Sequence, residues 1–281
     1  MKKIGIVFSG GGGKGAYELG VWKALHEWGY DQQITGASGT SIGGLNSVMF
    51  TMRDFETLEK IWEEAKVNRR PLPRVMKTRI MHYLDQKLSD HSTEEIYRAF
   101  DIWLHQSFLS SKKLQKLIEK HIQLDRLRNS DCDCYIACHD YRKKEAVYYH
   151  LNTMGDVQKI KRVLRATASI PFLFSPVRME NRLLVDGGLS DNTPIVPLYL
   201  SGFDTILVIR LKEEQIDDQK QFPNARIFTL VPKDNLGKFF NGTLNFYSDV
   251  IDLRIQQGYE EMKDFLKSHH DIFEDQVYKK S

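Results

Sequence analysis

Three groups of residues in this chain have the types and spacing that acyl transfer needs. Ser41 stands between glycines in Gly39-Thr40-Ser41-Ile42-Gly43. A serine flanked in this way fits a sharp strand-to-helix turn, which leaves its hydroxyl exposed beside the unpaired N–H groups of a helix start. Such a hydroxyl attacks a carbonyl only when a base takes its proton. Asp186 follows the apolar run Leu183-Leu184-Val185 and precedes Gly187 and Gly188, which places a carboxylate at the end of a buried strand. The third group is Gly10-Gly11-Gly12-Gly13-Lys14-Gly15. Successive glycines let backbone N–H groups point into one concavity. The amides of Gly11, Gly12, Gly13 and Lys14 are therefore candidates to hold the oxyanion that forms when a serine attacks an ester. Each group taken alone is also an ordinary turn sequence.

Competing chemistries fit less of the pattern. A phosphate-binding P-loop needs Ser or Thr after the lysine, and Gly15 stands there. A dinucleotide fingerprint is matched by Gly10, Gly12 and Gly15, but Asp31 precedes the second strand instead of closing it. A Ser-His-Asp triad in hydrolase order needs a histidine after the acid, and only His269 and His270 follow Asp186. They lie in a polar stretch that reads as a solvated helix end. The pattern therefore points to a Ser41–Asp186 dyad, with the aspartate as base. An ordinary aspartate, with a pKa of about 3.9, is weak for this task, so burial must tune it. Cys132, Cys134 and Cys138 are followed by His139, but no second pair of ligands completes a zinc site. They read as members of a buried strand. Three cysteines form no disulfide framework and suit a reducing, cytoplasmic compartment.

These groups must be carried by the elements around them. The run Ile4 to Phe8 reads as a buried strand, and the residues after the glycine loop as a helix ending near Gly29. Further strands are expected over 132–139, 146–151, 177–179, 183–185, 205–210 and 226–231, and helices over 54–66, 156–168 and 245–267. Phe246, Val250, Leu253, Met262 and Phe265 form the expected apolar stripe of the last helix. Helices are also expected from Ser92 and from 110–111, and an apolar turn over 170–176. A chain of 281 residues with a net charge of +3 is ordinary in size and charge, and nothing in it calls for nucleic acid. No apolar run reaches the roughly 20 residues that span a bilayer, and the N-terminus lacks the pattern of a signal peptide. Segment 68–80 carries Arg69, Arg70, Arg74, Lys77 and Arg79 with two prolines and no acid. It is a candidate for peripheral contact with anionic lipid headgroups.

Taken together, the three motifs resemble those of the patatin-like phospholipases. Residues 10–15 resemble the oxyanion motif, with Lys14 where arginine is more usual. Residues 39–43 resemble the nucleophile motif, and Asp186-Gly187-Gly188 the aspartate motif. Ala168-Ser169-Ile170-Pro171 and Asn192-Thr193-Pro194 are also similar to family sequences. The resemblance implies an α/β fold, a three-layer α/β/α sandwich with a mostly parallel sheet. It also implies a single domain over 1–281, a Ser–Asp dyad, and hydrolysis of fatty-acyl esters in phospholipids or related lipids without a catalytic metal or cofactor. Residues 52–130 match no motif and are expected to be a helical insert over the site. A non-catalytic lipid-binding module on the same scaffold and a nucleotide-binding protein using the glycine loop are the alternatives.

Overall fold

The computed structural model describes residues 2–67, 116, 120–170, 174–214, 216, 218–237 and 242–274. The basic segment 68–80, the helices expected from Ser92 and from 110–111, and the centre of the apolar turn 170–176 lie outside the described residues.

The apolar run at the N-terminus forms β1, Ile4–Phe8, buried along its whole length. Its neighbours are β2, Ile34–Thr40, and β7, Thr205–Ile209, both parallel to it. The other strands are β3, Asp133–Asp140; β4, Glu145–His150; β5, Val177–Met179; β6, Arg182–Asp186; and β8, Arg226–Leu230. The sheet order is β5-β6-β3-β2-β1-β7-β8, with β4 on the other side of β3. The five strands from β3 to β8 along this order are parallel, whereas β4, β5 and β6 pair antiparallel. A buried parallel sheet needs cover on both faces. Alternation along β1 provides for it: Ile4, Ile6 and Phe8 join one core and Val7 the other.

The larger core lies under α1, Ala16–Glu27; α2, Ile42–Thr51; α3, Phe55–Ala65; α4, Val157–Thr167; and α5, Ser248–Ser268. The smaller core packs Leu198 of the short helix Val196–Leu200 with Phe203, Ile206 and Val208. The sheet therefore lies between two helical layers. Asp54 and Asp156 cap α3 and α4 by accepting from Thr57 N–H and Gln158 N–H, which starts both helices where the sequence expects them.

The stripe expected on α5 holds at Phe246, Met262 and Phe265 but fails at Leu253. Leu253 is exposed, and the buried line runs through Ile251, Arg254, Gly258 and Met262. A glycine and an arginine occupy that line, so a search for apolar periodicity misses those positions. Gly258 is there because α1 and α5 cross in near contact. A methyl group on Gly20 would lie 2.0 Å from Ile255 O, and one on Gly258 would lie 2.0 Å from Tyr17 O. The crossing is tied by the Tyr17 hydroxyl, which donates to Glu261 Oε2 at 2.8 Å.

Candidate active site

Ser41 and Asp186 meet because two strands share one edge of β3 end to end. β2 pairs with the first part of β3, ending at Thr40 opposite Ala137. β6 runs the other way and ends at Asp186 opposite Cys138. β4 fills the opposite edge over Tyr135–Asp140. β2 and β6 therefore point at each other along a single edge, and the residues at their facing ends are neighbours.

Ser41 takes φ 57° and ψ −124°, a conformation that non-glycine residues adopt rarely. Such strain costs on the order of 1–3 kcal/mol and persists only where the surroundings enforce it. Here the Ser41 N–H donates to Thr167 Oγ1 at 2.8 Å, and the Thr167 hydroxyl donates to Ala137 O at 2.6 Å. The Ser41 carbonyl accepts from Gly44 N–H at 3.0 Å as α2 begins. Gly43 lies against β1: a methyl group there would sit 2.3 Å from Phe8 O, so the second glycine of the motif is required sterically. Thr167 is a site residue that no sequence motif singles out. Its only sequence signal is a hydroxyl at the last position of a helix.

Asp186 is nearly enclosed, and its carboxylate accepts from Gly188 N–H at 2.8 Å. Burial raises its pKa to about 6, and the Gly188 amide and then the nearby Ser41 side chain hold it from going higher. A carboxylate with this affinity for protons is a far better base at neutral pH than a solvated one. Gly187 and Gly188 begin the turn that supplies the Gly188 amide.

The glycine loop lies beside the serine. A methyl group on Gly10 would lie 3.4 Å from the Ser41 Cβ. The loop is pinned by residues 191–194, which follow the aspartate. Gly10 N–H donates to Asn192 O at 3.0 Å, and Asn192 Nδ2 donates to Gly10 O at 3.1 Å. Ser9 and Thr193 hydroxyls bond at 2.9 Å, and Ser38 and Thr40 donate to the carbonyls of Pro194 and Asp191. Gly12–Gly15 forms a short 3-10 turn. The Lys14 N–H donates to Gly11 O at 3.2 Å, so it closes the turn. That removes Lys14 from the expected set of amide donors and leaves those of Gly11, Gly12 and Gly13. Its mostly buried ammonium has a pKa pulled down by burial and then by the positive charges of Arg254 and Lys212.

Behind the loop sits Glu18 of α1, fully buried. Its Oε2 accepts from Asn46 Nδ2 at 2.7 Å, and its Oε1 has no partner among the described residues. Burial lifts its pKa well above the usual glutamate range. In the unfolded chain the carboxyl ionises near pH 4.3, whereas the folded chain keeps the proton to higher pH. Folding therefore loses stability as pH rises above the unfolded value. Glu18→Gln removes that loss and keeps the acceptor for Asn46. Thermal melts should show the variant gaining on the wild type from pH 4 to pH 8, with ester hydrolysis within about threefold of wild type. A gap that narrows with rising pH would mean that Glu18 is ionised.

Of the other candidates, Cys138 lies opposite Asp186 in the β3–β6 pair. His269 bonds to Phe265 O and Ser268 Oγ at the end of α5. All three cysteines are buried, and burial pushes their thiols up, that of Cys132 to about 12. Among the described residues, no group of three or more His, Cys, Asp or Glu side chains could hold a metal ion. No helix among them is long and apolar enough to cross a membrane.

The chain is 24% identical over 216 residues to lysophospholipase NTE1 of Cryptococcus neoformans, an alignment covering 74% of this chain and 11% of that protein. It is 25% identical over 206 residues to lysophospholipase NTE1 of Kluyveromyces lactis, covering 73% and 12%. It thus spans about a tenth of the length of these relatives. In fold it is similar to VipD from Legionella pneumophila, with a TM-score of 0.52, 17% identity, and 95% of this chain and 67% of that chain covered. It is also similar to human GIVD cytosolic phospholipase A2, with a TM-score of 0.53, 11% identity, and 97% and 60% covered. The family model described as patatin-like phospholipase matches residues 6–199, from β1 through the aspartate turn and the loop that pins Gly10. The chain belongs to the patatin-like phospholipase family.

Proposed function

We propose that this chain is a serine acyl hydrolase that cleaves fatty-acyl esters of phospholipids or lysophospholipids through a Ser41–Asp186 dyad. One observation carries the proposal: Ser41 and the buried Asp186 stand at the facing ends of β2 and β6, beside the glycine loop. Asp186 takes the Ser41 proton as Oγ attacks the acyl carbonyl. The carbonyl electrons move onto oxygen, where the amides of Gly11, Gly12 and Gly13 meet the charge. The tetrahedral intermediate collapses, the departing alkoxide takes the proton from Asp186, and the acyl group stays on Ser41. Water then attacks the acyl-enzyme, its proton passes through Asp186 to Ser41, and the fatty acid leaves. Leu189, exposed beside the aspartate turn, offers apolar contact where a lipid chain approaches. The lysophospholipase name of the relatives makes lysophospholipids the first substrates to try. Segment 68–80, with its five basic residues, is the proposed contact with anionic headgroups.

Fatty-acid release should be measured from a small panel of lyso- and diacyl-phospholipids, together with a soluble short-chain ester. Release from at least one lipid is expected. With the soluble ester, kcat/KM should fall about tenfold per pH unit below about pH 6 and level off above it, because the protonated aspartate cannot accept the serine proton. No hydrolysis across the panel, or a rate that climbs as pH drops through 6, would count against the dyad.

A further inference from the structure

We infer that Arg254 is a positioning residue of the glycine loop, holding the Asn245 carbonyl that packs against the loop so that the loop's amides face Ser41; this rests on the acyl-hydrolase reading above. Arg254 lies on α5, beyond the residues 6–199 that match the family model. The near contact of Gly20 and Gly258 brings α5 against α1, the helix that the glycine loop begins. Arg254 is 3% exposed. Its Nη1 donates to Asn245 O and its Nη2 to Leu236 O, each at 2.9 Å. One planar group thus ties together two points of the chain that lie on either side of residue 242.

Of those two points, Asn245 lies directly against the loop. Asn245 O is 2.3 Å, and Arg254 Nη1 3.1 Å, from where a methyl group on Gly13 would sit. Thr243 O is 2.2 Å from the same position on Gly12, whose φ of 56° already favours glycine. Two carbonyl oxygens therefore lie close against the two central glycines. Their negative ends oppose an anion forming on the far side of the loop. Arg254 binds one of them and places a fixed positive charge at the same spot. That charge is felt at the loop, since Arg254 is the largest electrostatic cause of the lowered Lys14 pKa. Burial lowers the guanidinium's own pKa to about 10, so it stays charged at neutral pH. Lysine in its place would keep the charge and lose the fork that spans both carbonyls.

Arg254→Met and Arg254→Lys should be compared with the wild type on the soluble ester, with circular dichroism to establish folding. The expected kcat falls about 30-fold or more in the methionine variant and about fivefold or more in the lysine variant, with KM within about twofold. The Ki of a trifluoromethyl ketone, whose serine adduct carries the tetrahedral oxyanion, should weaken in parallel with kcat/KM. A residue that served stability alone would lower the melting temperature without this selective loss. Folded variants with wild-type kcat, or with an unchanged ketone Ki, overturn the assignment. If the methionine variant does not fold, the lysine variant decides by the same measurements. Failure of both to fold also overturns it, in favour of a general packing role. A wild-type chain without esterase activity overturns the acyl-hydrolase reading and this inference with it, whereas an active wild type with indifferent variants overturns only the role of Arg254.

Discussion

Ser41→Ala is expected to lower kcat for ester hydrolysis by about 10⁴-fold or more, with the melting temperature close to that of the wild type. Alanine keeps the backbone amide that donates to Thr167 and the carbonyl that starts α2. What it removes is the oxygen that would form the acyl bond. The glycine loop and the aspartate remain, so the residual rate measures what they do for direct attack by water. The same substitution removes a polar neighbour that holds down the pKa of Asp186, so the carboxylate should become still harder to ionise. A fluorophosphonate probe should add one mass equivalent to the wild type and none to the variant. Hydrolysis at more than about a tenth of the wild-type rate in the alanine variant would mean that another group is the nucleophile.

Asp186→Asn should abolish turnover nearly as completely while making the protein more stable. The carboxamide oxygen still accepts from Gly188 N–H, but it cannot take a proton from Ser41. A fall in kcat of about 10³-fold or more is expected. The stability gain follows from burial. The aspartate ionises near 3.9 when unfolded and near 6 when folded, so the unfolded chain gains relative to the folded one as pH rises between those values. Above pH 6 the accumulated loss is about 3 kcal/mol, and asparagine, which has no such ionisation, should recover about 1–3 kcal/mol of it. Chemical denaturation at pH 8 and at pH 4 would show the difference, with the variant ahead only at the higher pH. A variant that is less stable than the wild type at pH 8 would mean that the Asp186 negative charge is compensated, and so not raised in pKa. Stability and activity should thus trade against each other at this one position.

Much of the site can be read from local sequence because its parts are short turns with strict steric demands. Gly43 must be glycine to lie against Phe8 O, and Asp186 must end a strand to reach the sheet's edge. The runs of β1 and β7 show plainly because both faces of these strands are buried. Other features depend on contacts between distant parts of the chain. Asn192 reads as a turn residue, and only the fold shows that it bonds to Gly10 in both directions. Thr167 and Arg254 are polar residues at buried positions, where a reading based on apolar periodicity expects a hydrophobe or nothing. Leu253 misled for the converse reason: it is a large hydrophobe on the outer side of α5. At the crossing of Gly20 and Gly258 backbone meets backbone, which no apolar pattern marks.

The facing ends of β2 and β6 give β3 the part of a ruler. A strand advances about 3.3 Å per residue, and each step turns the side chain to the other face of the sheet. Ala137 and Cys138 are consecutive graduations, one marking the end of β2 and the next marking Asp186. A single residue inserted between them would leave every motif in the chain intact and legible. It would nevertheless turn the carboxylate away from the hydroxyl, so an intact set of signatures in such a homologue would describe a protein whose two reacting groups never meet.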